Sequence, residues 1–535
     1  MFGEKEDFTM ERKIPAGIQS FKKFRELGFI YIDKTSYVYN LVHQSIPFFL
    51  SRPRRFGKSL FLSTLSAYWQ GKKELFKGLE IEALEENNTN AWQPNPVFYF
   101  DFDGKNYQKE NALEEVIQGY LNNIEELYHC PNPSMAIEER FSTLLKKAHA
   151  DTGRRCIVLV DEYDKPLLEV MDNPDKLEHN KSVLKGLSGN LKKCDEHIQF
   201  IFITGVTKFH KVSIFSDLNN LTDISLVQSY AGICGISEKE LTTFYSPEID
   251  ALANAQEMTR EECLDTLKQM YDGYHFHPKA EGVYNPYSLA RVFFSREFNP
   301  YWYETGTPDF LIKKLKKINF DIRKFSSKQL YASQSTLTDY NGDTVEPIPL
   351  LYQSGYLTIS SYDNRRQRYT LSFPNQEVKY GFLNSLKTEY IPTSQTGADT
   401  DIYTLDDYIE NGDLEGIRNV LTALFASIPY TAENDPFENY FQSVIYIIFT
   451  LLGKFVQCEM HTYSGRIDCR VITEEYIYLF EFKRDDTADN ALKQIDSKDY
   501  ALPFVADHRT LYKIGVSFDS ETRTLKEWKA MLMSH

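Results

Sequence analysis

The chain has 535 residues, 42% hydrophobic and 14% aromatic, which excludes a disordered protein and is too long for one core, so roughly three or four domains are expected. Its formal net charge of −16 excludes a protein that coats nucleic acid by charge alone; any such binding should be weak and fall with salt. The 7 cysteines stand singly, without a C-x-x-C pair, which suits a reducing cytosol and argues against a structural zinc site.

The opening "MFGEKEDFTMERK" has no apolar core and no cleavage pattern, so no signal peptide is expected. "IPFFLS" (46–51) reads as a buried strand that enters a glycine-lysine turn and then the helix "KSLFLSTLSAYWQ". "PVFYFDF" (96–102), "RCIVLVDEYD" (155–164) and "HIQFIFITG" (197–205) are further apolar runs, with helical patterns between them. Such runs predict a parallel sheet covered on both faces. Residues 235 to 390 are mostly helical in pattern, rich in Tyr and Phe, and end in alternating pieces such as "QRYTLSF". "PTSQTGADTD" (392–401) is the most linker-like stretch. Helices follow to about 455, including "SVIYIIFTLL" (443–452), which is shorter than the ~20 apolar residues of a bilayer span and reads as a buried helix. The strands "GRIDCRVI" and "YIYLFEFK", a helix and the strand "YKIGVSF" complete the chain, without internal repeats. The expected divisions are 1–234, 235–391, a linker at 392–402, and 403–535.

The turn "SRPRRFGKS" ends like a phosphate-binding loop, but the pattern G-x-x-x-x-G-K-[ST] wants a first glycine where Arg52 stands. Its position favours a phosphate site, because it follows a buried strand and opens a helix whose first amides face the loop. With Gly57 at the turn, Lys58 can reach the β- and γ-phosphates of ATP and Ser59 can hold Mg2+. The third run ends in Asp161, placed to bind Mg2+ through water, and Glu162, placed to polarise the attacking water. The fourth ends in Thr204, where a polar residue can sense the γ-phosphate. Each of these has an ordinary alternative as a strand exit or a turn residue. Their order, with a strand between the two motifs and the adjacent glutamate, points to the P-loop branch that includes AAA+ ATPases. Pro53 removes one backbone donor. Arg54 and Arg55 add side-chain donors, which either contact phosphate or face solvent or an acidic surface.

"GIQSFKKFRELGFIYIDKTSYVYNLV", "FFLSRPRRFGKSLFLSTL", "VLVDEYDKPL" and "FITGVTKF" with "SIFSDLNNLTDIS" together resemble the bacterial AAA-ATPase-like family often fused to a C-terminal nuclease. That resemblance makes the arginine-rich loop an expected form. It implies a parallel-sheet P-loop domain followed by a helical lid and a winged-helix-like module, and it sets Asp33, Lys34 and Thr35 near the base or ribose. "YDGYHF", "VYNPYSL" and "YWYETGTPDFL" match the family's aromatic signatures, with core packing as the expected role. The basic run "KKLKKINFDIRK" (313–324) reads as a DNA-backbone contact or, more plainly, a solvated helix face.

On "YIYLFEFK", alternation puts Glu481 and Lys483 on one face and Phe480 and Phe482 on the other. Asp468 on the preceding strand can join them if the two strands pair as a hairpin. Two carboxylates and a lysine suit Mg2+-dependent phosphodiester hydrolysis, with Mn2+ as a substitute. E-x-K alone is weak: Glu377-Val-Lys379 and Glu527-Trp-Lys529 repeat it, and a surface salt pair is the expectation at both. "FENYFQSVIYIIFTLLG", "GRIDCRV", "LFEFK" and "ALKQIDSKDYA" resemble the PD-(D/E)XK nuclease superfamily. The resemblance implies a restriction-endonuclease-like α/β domain with Asp468, Glu481 and Lys483 as its core. Glu438 would be an accessory carboxylate, and Gln494 and Tyr500 would line the site.

The combined expectation is a cytoplasmic bacterial ATPase joined to a metal-dependent nuclease that acts on nucleic acid, DNA foremost, under nucleotide control. No membrane partner is expected, and a homo-oligomer stays open. The alternative is a nucleotide-gated regulatory or interaction protein whose nuclease-like domain does not cleave.

Overall fold

The computed structural model describes residues 12–209, 220–305, scattered positions between 311 and 325, 330–338, 340, 346–390, 398–426, 437–453, 457–460, 468–519, 521–522 and 524–533. The chain forms two compact units, one up to Trp302 together with Tyr331–Glu377, the other Tyr303–Leu330 with Val378 onward. It passes between them at 302/303, 330/331 and 377/378.

The first unit is built on strands β1 (Phe48–Ser51), β2 (Val97–Asp101), β3 (Cys156–Asp161), β4 (Ile198–Gly205) and β5 (Thr222–Asp223). They form one parallel sheet in the order β2-β3-β4-β1-β5. The register aligns Phe98 with Val158 and Phe202 with Leu159, so Phe98 and Phe100 face one side while Phe200 and Phe202 face the other. Helix α1 (Lys58–Trp69) lies on the second side, with Phe61 5.9 Å from Phe202 and Trp69 5.7 Å from Phe200. Helices α2 (Ala112–Leu127) and α3 (Ile137–Thr152) lie on the first, with Tyr120 and Phe141 each 5.5 Å from Phe100. Coverage on both faces is why these strands read as unbroken apolar runs. Because β4 is inserted between β1 and β3, the turn after β1 and the acidic end of β3 open on the same edge of the sheet, flanking the end of β4.

Helices Glu238–Phe244, Ser246–Ala255, Arg260–Tyr271 and Pro286–Ser295 follow, around a core that includes Leu241, Leu252, Leu267 and Leu289. Capping boxes at Ser237/Glu240 and Thr259/Glu262 start two of them. A small sheet, β6 (Leu330–Ala332), β7 (Thr358–Asp363) and β8 (Arg368–Ser372), has the order β6-β8-β7 and occupies the region expected as winged-helix-like.

The second unit holds β9 (Gln457–Met460), β10 (Cys469–Ile472), β11 (Tyr476–Arg484), β12 (Thr510–Phe518) and β13 (Leu525–Leu532) in sequential order. The sheet is mixed: β11 and β12 are parallel and the other pairs antiparallel. Helix α4 (Phe437–Leu452) sets Phe449 against Phe480 and Phe482, at 5.2 and 5.8 Å. Helix α5 (Ala488–Ser497) packs Leu492 and Ile495 on Ile477 and Leu479 of the opposite face. The stretch read as a linker falls largely outside the described residues, with helix Ala398–Glu410 at its end. Among the described residues no helix is long and apolar enough to cross a membrane.

Candidate functional site

Between β1 and α1 the backbone takes left-handed conformations at Arg55 (φ 66°) and Gly57 (φ 93°). Glycine adopts this at Gly57 without a steric penalty. Among the described residues nothing accepts from the amides of Arg54, Arg55, Phe56 and Gly57. Consecutive free amides at a helix N-terminus form a concavity that suits an anion. Lys58 is buried, and its ammonium donates to the carbonyls of Arg52 (3.1 Å) and Pro53 (3.2 Å). Ser59 stands half-buried in the first turn of α1.

Arg52 is only 1% exposed, so it belongs to the wall of this loop and not to its opening. Its guanidinium donates to the carbonyls of Ser51 (2.8 Å), Ser225 (2.9 Å) and Tyr230 (3.0 Å) and lies 3.9 Å from the centre of the Phe276 ring. The exposed Arg55 guanidinium covers the ring of Tyr287 at 4.8 Å. Arg54 is exposed too. Its charge adds slightly to the lowering of the Asp103 carboxyl, which the hydrogen bond from Lys165 dominates.

At the end of β3, Asp161 Oδ1 accepts from the Thr204 hydroxyl (2.6 Å) and the Glu162 amide (3.1 Å). Glu162 is half-buried with φ 48°, and burial raises its carboxyl while the Lys58 charge opposes the rise. The two motifs therefore meet electrostatically. Asp33, Lys34 and Thr35 hold local structure here: Asp33 accepts from the amides of Thr35 (2.8 Å) and Glu80 (2.7 Å), and Lys34 pairs with Glu240 at 2.6 Å.

Three supports were not read from the sequence. Asp164 accepts from the amides of Val206 (3.1 Å) and Thr207 (2.6 Å) and from the Thr207 hydroxyl (2.7 Å), tying the exit of β3 to that of β4. Gly205 has no room for a Cβ, which would lie 2.5 Å from Asp164 Oδ1 and 2.8 Å from the Tyr163 ring. The aromatic signatures pack under the loop: Phe56 sits 4.7 Å from Tyr274 and 5.6 Å from Phe276. The second aspartate of the D-E-Y-D stretch, three residues after Asp161, could have pointed to Asp164; the aromatics carried no local sign of their place under the loop. The expectation of a surface salt pair at Glu377 is corrected. Glu377 is 1% exposed and accepts from the Trp302 amide (2.7 Å) and the Ser288 hydroxyl (2.8 Å), because its helix start is buried against those elements. At the other E-x-K the expected pair is corrected too, since its two members turn to other partners: Glu527 accepts from the Ala488 amide (2.9 Å), and Lys529 pairs with Asp489 at 2.6 Å.

The second unit assembles a separate centre. The antiparallel register sets Cys469 opposite Phe480, and Asp468 Oδ2 accepts from the Phe482 amide at 2.9 Å. Lys483 donates to Glu481 Oε1 (3.1 Å) and to Gln494 Oε1 on α5 (2.6 Å). Glu481 is 1% exposed, and its Oε2 is buried without a hydrogen-bond partner. Burial first, and the Asp468 charge second, push its carboxyl up to about 7, and burial also raises Asp468. Tyr500 lies close enough for Glu481 and Asp468 to add to the rise that burial gives its phenol. Gly515, beside Glu481 in the register, lets the Ala488 carbonyl and Ala491 of α5 approach the sheet; the sequence carried no signal for it.

The orphaned Oε2 beside a second carboxylate is the kind of donor set a divalent cation fits. Among the described residues no group of three His, Cys, Asp or Glu side chains is placed to hold a metal. Glu438 stands in α4 with its side chain outside the described residues. Of the basic run, Lys316 donates to the Glu389 carbonyl (2.7 Å) and carboxylate (3.3 Å), while Lys313, Lys314 and Lys317 lie outside the described residues.

A family model described as a predicted AAA-ATPase matches residues 15–215, and one for the PD-(D/E)XK nuclease superfamily matches residues 436–528. An uncharacterized protein in the vnfD 5' region of Azotobacter chroococcum mcd 1 is 36% identical over 533 residues, covering 96% of this chain and 98% of the relative. Among solved structures, Cdc6p from Pyrobaculum aerophilum aligns at a TM-score of 0.25 and 11% identity, over 72% of this chain and 97% of its own. The ORC2 protein of Aeropyrum pernix aligns at 0.25 and 9%, over 66% and 93%. At that TM-score neither bears on the argument. The full-length relative and the two matched regions carry it: the chain belongs to the predicted AAA-ATPase-like family, with a C-terminal domain of the PD-(D/E)XK nuclease superfamily.

Proposed function

We propose that the first unit binds and hydrolyses ATP and that the second is a Mg2+-dependent nuclease acting on nucleic acid, DNA foremost, under the control of nucleotide state. At the first centre the free amides of residues 54–57 and the Lys58 ammonium would receive the phosphates, with Ser59 and Asp161 holding Mg2+. Glu162, raised by burial, would take the proton of the attacking water, and Thr204 would report on the γ-phosphate through its bond to Asp161.

The nuclease reading is carried by one observation, the buried and unpartnered Oε2 of Glu481 beside Asp468 and Lys483. Asp468 and Glu481 would hold the divalent ion, which supplies electrophilic activation of the scissile phosphate. Lys483, oriented by Gln494, would offset charge that develops on the phosphate. A non-cleaving, nucleotide-gated binding protein is the second reading; it is favoured by the presence of only two carboxylates at this centre among the described residues.

The test is cleavage of single-stranded, duplex and branched DNA and of RNA, with Mg2+ or Mn2+, with and without ATP. Wild type should cut at least one substrate, and Glu481→Gln should lose about 100-fold or more in rate. Lys58→Ala should lose ATP-induced thermal stabilisation, and Glu162→Gln should bind ATP but release little phosphate. No cleavage by wild type on any substrate with either metal would leave the binding-protein reading in its place.

A further inference from the structure

Trp302 has no place in the chemistry above, yet it reaches the phosphate loop. Its indole Nε1 donates to the Arg54 carbonyl at 3.0 Å. Its own amide donates to Glu377 Oε1 at 2.7 Å, and Glu377 Oε2 accepts from the Ser288 hydroxyl at 2.8 Å. The buried indole lies 5.5 Å from the Tyr356 ring and 6.4 Å from Tyr274, which also carries Phe56 of the loop. In a trans peptide the carbonyl and the following N–H point in opposite directions. A donor fixed on the Arg54 carbonyl therefore turns the Arg55 amide away from Trp302, into the row of amides that have no acceptor among the described residues. Lys58 already holds the two preceding carbonyls, so three successive peptide groups are set by side chains.

Trp302 and Glu377 also occupy particular places in the chain. Each is the last residue of the first unit before the chain crosses to the second, at 302/303 and 377/378. One hydrogen bond thus ties two crossings together, and one indole ties them to the phosphate loop.

We propose that Trp302 is a positioning residue that sets the Arg54–Arg55 peptide for phosphate binding and carries the occupancy of the loop to the crossings at 302/303 and 377/378. This rests on the nucleotide reading of the loop. It deepens that reading by naming the residue through which nucleotide state leaves the first unit.

The experiment is amide hydrogen exchange on the full-length protein with and without saturating ATP, in wild type and in Trp302→Phe, with ATP affinity measured for both. The substitution keeps an aromatic ring and removes the donor. In wild type, ATP should slow exchange at residues 52–60 and change it at residues 298–304 and 376–382. In Trp302→Phe, ATP affinity should fall about tenfold, and at saturation the loop should be protected while the response at 376–382 is lost. The wild-type comparison stands even if the variant does not fold: protection of the loop without a response at 298–304 and 376–382 overturns the inference alone. So does a folded Trp302→Phe protein with wild-type affinity and an unchanged response. No protection of the loop by ATP overturns the nucleotide reading and this inference with it.

Discussion

Arg52 stands where the general phosphate-loop pattern has glycine, and its burial explains why a chain can dispense with that glycine. Three carbonyls and the face of Phe276 receive its guanidinium, so the side chain builds the loop wall from within. Arg52→Gly, which restores the general pattern, should therefore destabilise the protein by about 3 kcal/mol or more, through lost hydrogen bonds and an unfilled space. Denaturant unfolding measures this, and wild-type stability would mean the wall does not depend on Arg52. Glu481 gives a second residue-scale test. Its carboxyl is raised from 4.5 to about 7, first by burial and then by Asp468. In chelator, the folded protein keeps a proton that the unfolded chain has released between those values, so stability falls as pH rises through that window. Glu481→Gln cannot ionise and should lack that part of the slope. The stability difference should thus shift against wild type between pH 5 and 8; parallel curves would mean that Glu481 titrates normally. The sequence made Glu481, Lys483 and Asp468 legible because alternation and a hairpin are local rules. Arg52 was legible only as a departure, since its partners Ser225, Tyr230 and Phe276 lie far along the chain.

At the scale of elements, the strands and the helix after the phosphate loop were readable from period and burial, because a sheet covered on both faces leaves continuous apolar runs. What period does not encode is how closely two elements approach. Gly205 and Gly515 carry that information: one admits Asp164 and Tyr163 against β4, the other admits α5 against β12. Neither has a positive φ, so no turn signal marks them, and their need for glycine appears only once the neighbouring element is in place. Gly515→Ala puts a methyl against the Ala488 carbonyl and 3.1 Å from both Ala491 and Leu492, so α5 must shift. Gln494 then leaves Lys483, and cleavage should fall by roughly tenfold, with about 1–3 kcal/mol lost from the second unit. Metal affinity should stay near wild type, because Asp468 immediately precedes β10 and Glu481 sits on β11, neither of them on α5. Calorimetric metal titration beside cleavage kinetics separates the two. Loss of both would mean that α5 supports the metal pair as well as the lysine.

Across the whole molecule, a net charge of −16 means that the general field would not hold nucleic acid, so the proposed function requires local cations, and under it nucleotide state, to position the substrate. The run 313–324 is the densest basic stretch, but Lys316 is already tied to Glu389. Under the proposed function, Lys313, Lys314 and Lys317 are the members of the run to test as DNA contacts. Replacing these three with Ala should weaken DNA binding and reduce the slope of log affinity against log salt by about 2–3, whereas Lys316→Ala alone should change it little. If ATP tightens DNA binding by some factor, DNA must tighten ATP binding by the same factor, because the two are one coupling free energy. Measuring both affinities closes the cycle: DNA with and without ATP, and ATP with and without DNA, in wild type and in the triple variant. Equal factors above one would place the basic run and the phosphate loop in a single linked equilibrium. A factor of one in both directions would mean that two independent enzymes share a chain, and a triple variant with the wild-type salt slope would move the DNA contact elsewhere.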